Sequence, residues 1–160
     1  CCDAQFATRQ KHKPTDSSSP ITMTHQQRLT VQAPQSGLFD ITARIREVVE
    51  KANIQCGMCH VFVQHTSCSL VIQENADPSA RQDLENWLAR LAPENDPLYT
   101  HTLEGPDDMP AHLRAAVTHT SENIPIVDGA LGLGTWQGLY LWEHRRHTSP
   151  RQIVVTIMGE

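Results

Sequence analysis

Nine histidines in 160 residues are the feature of this chain that most invites a chemical reading. Imidazole titrates near neutral pH and is the commonest nitrogen ligand for zinc, and three neutral imidazoles with one open position make a catalytic metal geometry. His65 ends an apolar stretch and begins His65-Thr66-Ser67, His101 falls in a long loop, and His112 falls in the first turn of a short helix. His60 stands at an odd offset from His65, so on one strand the two point to opposite faces. His144 and His147 follow Glu143 near the end. The spacing matches neither H-E-x-x-H nor a zinc knuckle, so pattern alone leaves two readings: a joint site, or separate surface and hydrogen-bonded histidines. Among the carboxylates, Glu104, Asp107 and Asp108 share the loop of His101, where a solvated acidic loop is the alternative. Glu74-Asn75 precedes Asp77-Pro78. Asp77 is explained as a helix cap and Glu74 is not, so Glu74 is expected to face the histidines as general base or as orienting partner of a ligand imidazole. Cys56-Gly57-Met58-Cys59 is a lone C-x-x-C opening a strand, which suits neither a four-ligand zinc site nor a thioredoxin motif. Gly129 to Gly134 lacks both a following helix and a Lys-Ser/Thr, so it reads as a turn.

The elements that must position these groups can be read from periodicity. Strands are expected over 28–32, 56–65, 69–72, 124–127, 136–142 and 152–158, with a turn over 34–37. Asp40 heads a helix carrying Ile41, Ile45, Val48 and Val49 at helical spacing. Asp77-Pro78 heads a second, in which Leu84, Trp87, Leu88 and Leu91 form a stripe expected to face the core. Residues 92–109 form a loop long enough to be functional, and Pro110 opens a short helix. Strands outnumber helices without strict alternation, which favours an α+β fold. Trp136, Tyr140 and Trp142 share one face of their strand and Leu139 and Leu141 the other, so this strand is expected to be buried twice, the second time against another subunit.

Bulk properties narrow the function classes. The length suits one domain and is too short for a (β/α)8 barrel. Net charge is -5 and no Lys/Arg stripe occurs, so nucleic acid is not an expected partner. No apolar run approaches a membrane span, so no membrane is expected either. Five cysteines in no framework spacing point to reduced thiols and a cytoplasmic location. Residues 1–24 read as a disordered polar arm and 25–160 as the folded domain.

Taken together, Gln64-His65-Thr66-Ser67, Glu74-Asn75-Ala76-Asp77-Pro78, Glu104-Gly105, Asp108-Met109-Pro110-Ala111-His112, Gly134-Thr135-Trp136-Gln137-Gly138 and Leu141-Trp142-Glu143-His144-Arg145 resemble the YjbQ family. The segment from Ser121 to Gln137 resembles its signature. The resemblance implies a β-sandwich-like core with flanking helices, a homotrimer with sites near subunit boundaries, and a secondary thiamine-phosphate synthase activity. It places His65, His101 and His112 as a metal set for zinc or magnesium, and Glu74, Glu104 and Glu143 as catalytic carboxylates. Asn75, Ser121, Thr135, Trp136, Gln137 and Arg145 fall to ligand binding.

Three functions follow as expectations. The first is transfer of a pyrimidine methyl group from its diphosphate to thiazole phosphate, which requires cations to stabilise the departing diphosphate; Arg81, Arg114, Arg145 and Arg146 are a modest supply. The second is a metal-dependent hydrolase or lyase built on the three histidines. The third is a trimer that binds a small, possibly phosphorylated, molecule without catalysis.

Overall fold

The computed structural model describes residues 22–147 and 149–160, so residues 1–21 of the expected arm lie outside it. In chain order the elements are β1 (Met23–Val31), β2 (Gly37–Asp40), α1 (Thr42–Ala52), β3 (Gly57–Val63), β4 (Cys68–Glu74), α2 (Pro78–Leu91), α3 (Asp108–Val117), β5 (Ser121–Val127), β6 (Ala130–Leu131), β7 (Gln137–Glu143) and β8 (Arg151–Gly159). They build a five-stranded sheet, β1-β8-β3-β5-β6, and a three-stranded sheet, β2-β7-β4. All pairings are antiparallel. The chain is thus an α+β domain with a sandwich-like core, as the α+β reading expected.

Period-two patterning makes the sandwich. Cys59, Val61 and Val63 of β3 and Ile153, Val155 and Ile157 of β8 turn inward, against Leu70 of β4 and Leu139 and Leu141 of β7. Helix α1 adds Ile45, Val48 and Val49, each contributing roughly 1.5–3 kcal/mol by burial. The Asp40 carboxylate accepts the N–H of Thr42 at 2.8 Å at its start, and Asn53, at φ 51°, ends it in the left-handed region. Asp77 caps α2 by accepting the N–H of Ser79 at 2.8 Å, with Pro78 as first helical residue.

Four features depart from the sequence expectation. Strand β1 begins at Met23, because it pairs with β8 along its whole length, Met23 opposite Gly159; residues 23 and 24 therefore belong to the fold. Part of the expected turn is β2, whose Leu38 lies opposite Trp142. On α2 only Leu88 is buried and Leu84 partly so, while Trp87 and Leu91 are 52% and 54% exposed. The patch beneath α2, Leu38, Val71, Tyr140 and Trp142, is narrower than the arc spanned by the stripe. Finally, β7 is buried on both faces by its own chain: Leu139 and Leu141 in the main core, Tyr140 and Trp142 under α2. Trp136 precedes the strand and stays 66% exposed. No partner is needed to cover Tyr140 and Trp142.

Cys68 pairs with Glu143 and Glu74 with Gln137, so these two ends of β4 and β7 lie about 20 Å apart. No helix among the described residues is long and apolar enough to cross a membrane.

Candidate functional site

At the Glu143 end, the start of α3 places Asp108 and His112 one helical turn apart, on the same face. The preceding loop folds His101 back over them. His101 Nε2 lies 2.7 Å and His112 Nε2 3.3 Å from the same carboxylate oxygen, Oδ2 of Asp108. The two rings are tilted, with centroids 5.6 Å apart. One nitrogen from each histidine and one oxygen of Asp108 lie within 4.8 Å of one another, a spacing at which one metal ion can be shared. Two imidazoles and one carboxylate suit zinc or a similar transition ion better than magnesium, which prefers oxygen.

A ring of contacts fixes this trio. His112 Nδ1 faces the carbonyl of Thr66 at 3.1 Å and so carries the donated proton, which turns Nε2 toward Asp108, free to hold a cation in the neutral ring. Asp108 is buried, and its Oδ1 accepts from the guanidinium of Arg145. Arg145 also reaches Asp107 at 3.2 Å and the carbonyl of Glu104 at 2.8 Å. Burial would raise the pKa of Asp107, but the N–H of Arg146 and the charge of Arg145 outweigh it and hold the carboxyl ionised. The backbone N–H of Arg145 donates to Glu143 at 3.0 Å. Glu143, fully buried, takes both arms of the fork of Arg151, at 2.5 and 2.6 Å. Burial would lower the pKa of Arg151; the bond to Glu143 reverses this and keeps it charged.

The structure divides the site residues named from sequence into two groups. His65, His101, His112, Glu104, Glu143 and Arg145 gather at one end. Within it, His65 stands apart from the trio: its Nε2 accepts the N–H of Gln152 at 2.9 Å and its Nδ1 stands 3.4 Å from Arg151. Burial, then Arg151, lowers its pKa against the pull of Glu143, so it is neutral at pH 7. It shares a cleft of about 260 Å3 with Thr66, His112 and Ala116. A second recess, of about 310 Å3, opens on the other side of His101 beside Tyr99 and Thr102.

Glu74, Asn75, Thr135, Trp136 and Gln137 gather at the far end, where Glu74, Trp136 and Gln137 line an open recess. Asn75 donates to the carbonyl of Gln137 at 3.2 Å, and the N–H of Gly134 to Gln137 Oε1 at 2.8 Å. Within one chain Glu74 therefore does not face the histidines. Ser121 opens β5 opposite Phe62, in neither group. Asp108 was named from sequence only as one of three loop carboxylates with a solvated loop as the alternative, and Arg151 was not named. The i,i+4 spacing of Asp108 and His112 is a signal that could have picked Asp108 out from the three; nothing local marks Arg151.

With this geometry in view, comparison with known proteins is direct. Residues 27–160 match the family model described as UPF0047 protein YjbQ-like. A UPF0047 protein of Synechocystis sp. is 49% identical, across 90% of this chain and 98% of its own. YjbQ of Escherichia coli O157:H7 is 39% identical, across 86% and 100%. A solved structure from Sulfolobus solfataricus P2, described as of unknown function, superposes with a TM-score of 0.80 at 29% identity, across 88% of this chain and 100% of that one. One from Clostridium acetobutylicum, described as an uncharacterized conserved protein of the yjbq/upf0047 family, gives 0.72 at 32%, across 83% and 98%. A match over nearly the whole folded part, at this identity, makes the chain a member of the YjbQ (UPF0047) family.

Proposed function

We propose that the protein is a metal-dependent hydrolase or lyase acting on a small molecule, with His101, Asp108 and His112 as ligands of one divalent ion, zinc in preference to magnesium. The observation that carries this reading is the pairing of Nε2 of His112 with Oδ2 of Asp108. The Nδ1 proton of His112 goes to Thr66, so a neutral His112 presents a lone pair to an anionic oxygen at 3.3 Å. Such a contact needs a positive charge between the two atoms, either a proton on Nε2 or a shared cation, and the convergence of His101 on the same oxygen favours the cation. A bound metal ion would provide it, along with Lewis acidity at a substrate carbonyl or phosphoryl oxygen.

The chain's own groups have distinct parts in this reading. Asp108 is the anionic ligand, Arg145 fixes its orientation, and Thr66 fixes the tautomer of His112. Glu143 is fully engaged by Arg151 and Arg145, which makes it a positioning residue rather than a proton carrier. Glu104 has no side-chain partner among the described residues and is exposed, which suits proton handling. Glu74 and its neighbours could join the centre only from a second copy. A closed homotrimer with head-to-tail contacts would bring one copy's far end to the next copy's metal end. The strip of Met58, Phe62 and Met158 on the open face of the five-stranded sheet, each at least 38% exposed, favours such an assembly. The free thiols of Cys56, Cys59 and Cys68 suit a reducing compartment.

Thiamine-phosphate synthesis draws less support from the geometry. Arg145 and Arg151 are occupied by carboxylates, Arg146 pairs with Glu94, and Arg81 lies over the ring of Tyr140, which leaves few cations for a departing diphosphate. An assay of the zinc-loaded protein against carboxylic esters, phosphoesters and the two thiamine precursors tests the proposal. Chelator-sensitive hydrolysis or elimination that His112→Ala abolishes is the expected result. Turnover confined to the thiamine precursors, or indifferent to chelator, contradicts it.

A further inference from the structure

A second group of polar side chains lies away from the trio, and the metal reading makes no use of it. A pocket of about 200 Å3 separates α2 from the outer face of the three-stranded sheet, with Glu85 and Asn86 on one side, Arg114 of α3 on another, and Trp142 and His144 at its base. Arg114 is half-buried. Its guanidinium gives one N–H to the carbonyl of Ala92 at 2.7 Å, its Nε is buried with no hydrogen-bond partner, and it makes no ion pair among the described residues. Asp107 acts on it electrostatically but is already engaged by Arg145 and Arg146, so the partly withdrawn cation is only partly compensated.

His144 supplies a second donor that no protein group takes up. Its ring is 2% exposed, and its Nε2 lies 2.9 Å from the hydroxyl of Ser69, itself fully buried. That hydroxyl is sealed from water and has no other partner among the described residues, which favours its proton going to Nε2. The proton of a neutral His144 then sits on Nδ1, which has no acceptor. Of the acids lining the pocket, Glu143 is consumed by Arg151 and Arg145. Glu85 gives one oxygen to the N–H of Leu38 at 2.8 Å and stays on the wall of α2, so its charge weighs against a multiply charged guest.

We propose that this pocket binds a small oxyanion, a carboxylate or phosphate, held by the guanidinium of Arg114 and the Nδ1–H of His144. The pocket volume admits a few heavy atoms, and Arg114 of α3 and His144, just after β7, both line it. None of His101, Asp108 and His112 lines it, so this site stands or falls separately from the metal.

Calorimetric titration of the full chain with formate, acetate and phosphate, at ionic strength held constant with chloride, tests the assignment. Saturable binding of at least one is expected, weakened roughly 10- to 100-fold by Arg114→Met and unaltered by His112→Ala. Formate or acetate binding alone would identify the guest as a carboxylate, and phosphate binding alone as a phosphate. Should Arg114→Met fail to fold, imidazole 15N spectra of the unaltered protein decide. The expected result is an Nδ1–H tautomer for His144 whose proton signal shifts as the anion is added. An Nε2–H tautomer overturns the proposal. So does an absence of saturable binding, binding indifferent to Arg114→Met, or binding lost with His112→Ala.

Discussion

Asp108 is held at both oxygens, by Arg145 on Oδ1 and by the histidine pair on Oδ2. Replacing Arg145 with Ala removes the outer support without touching a ligand, and should weaken zinc binding roughly 10- to 100-fold. His112→Ala should weaken it further, in competition with a chromophoric chelator. Equal affinity in Arg145→Ala and the unaltered protein would show that Asp108 needs no such support. His144 gives a second test at this scale. Burial, then Arg114 and Arg151, depresses its pKa from 6.5 to about 3. Between those values the unfolded chain binds a proton that the native chain does not, so stability is fully present above pH 6.5 and is lost as pH falls toward 3. Between pH 6.5 and 5 that amounts to about 2 kcal/mol, and His65, also depressed, adds in the same direction. Urea unfolding at the two pH values should show this slope, and His144→Gln should reduce it. An unchanged slope in that variant would mean that His144 is protonated in the fold.

Among the elements, the strands and caps were legible because each rests on local chemistry. Alternation marks β3 and β8, and Asp77-Pro78 marks the start of α2. Burial of helix faces was not legible, since it depends on what lies opposite. Leu84, Trp87, Leu88 and Leu91 have identical helical credentials, yet the sheet beneath α2 covers only Leu88 fully. Leu88→Ala should therefore cost about 2–5 kcal/mol in urea unfolding, and Trp87→Ala less than about 1 kcal/mol. Comparable losses would mean that Trp87 is covered, by a partner or by another part of the chain. The site was half legible for a related reason. His101 and His112 were picked out with their loop and helix. His65 and Glu74 could be placed only by knowing where β3 and β4 end relative to β7, and pairing register is a non-local property. Asp108 stayed undecided between a site carboxylate and a solvated loop acid because nothing beside it in sequence reveals Arg145.

For the molecule as a whole, the two ends of β4 and β7 pose one question. One end holds a buried carboxylate with two histidines and two arginines; the other holds Glu74, Trp136 and Gln137. If a head-to-tail trimer joins them, light scattering should give three times the chain mass, and Trp136→Ala should shift the protein toward monomer. A monomer at every concentration would leave Glu74 outside the site. The metal itself is best counted on the intact assembly. Native mass spectrometry after zinc addition and removal of excess should show one zinc per chain, three per trimer, and none in the double variant His101→Ala/His112→Ala. A metal-free spectrum, or the same zinc count in that variant, would contradict the assignment of His101, Asp108 and His112 as the metal centre.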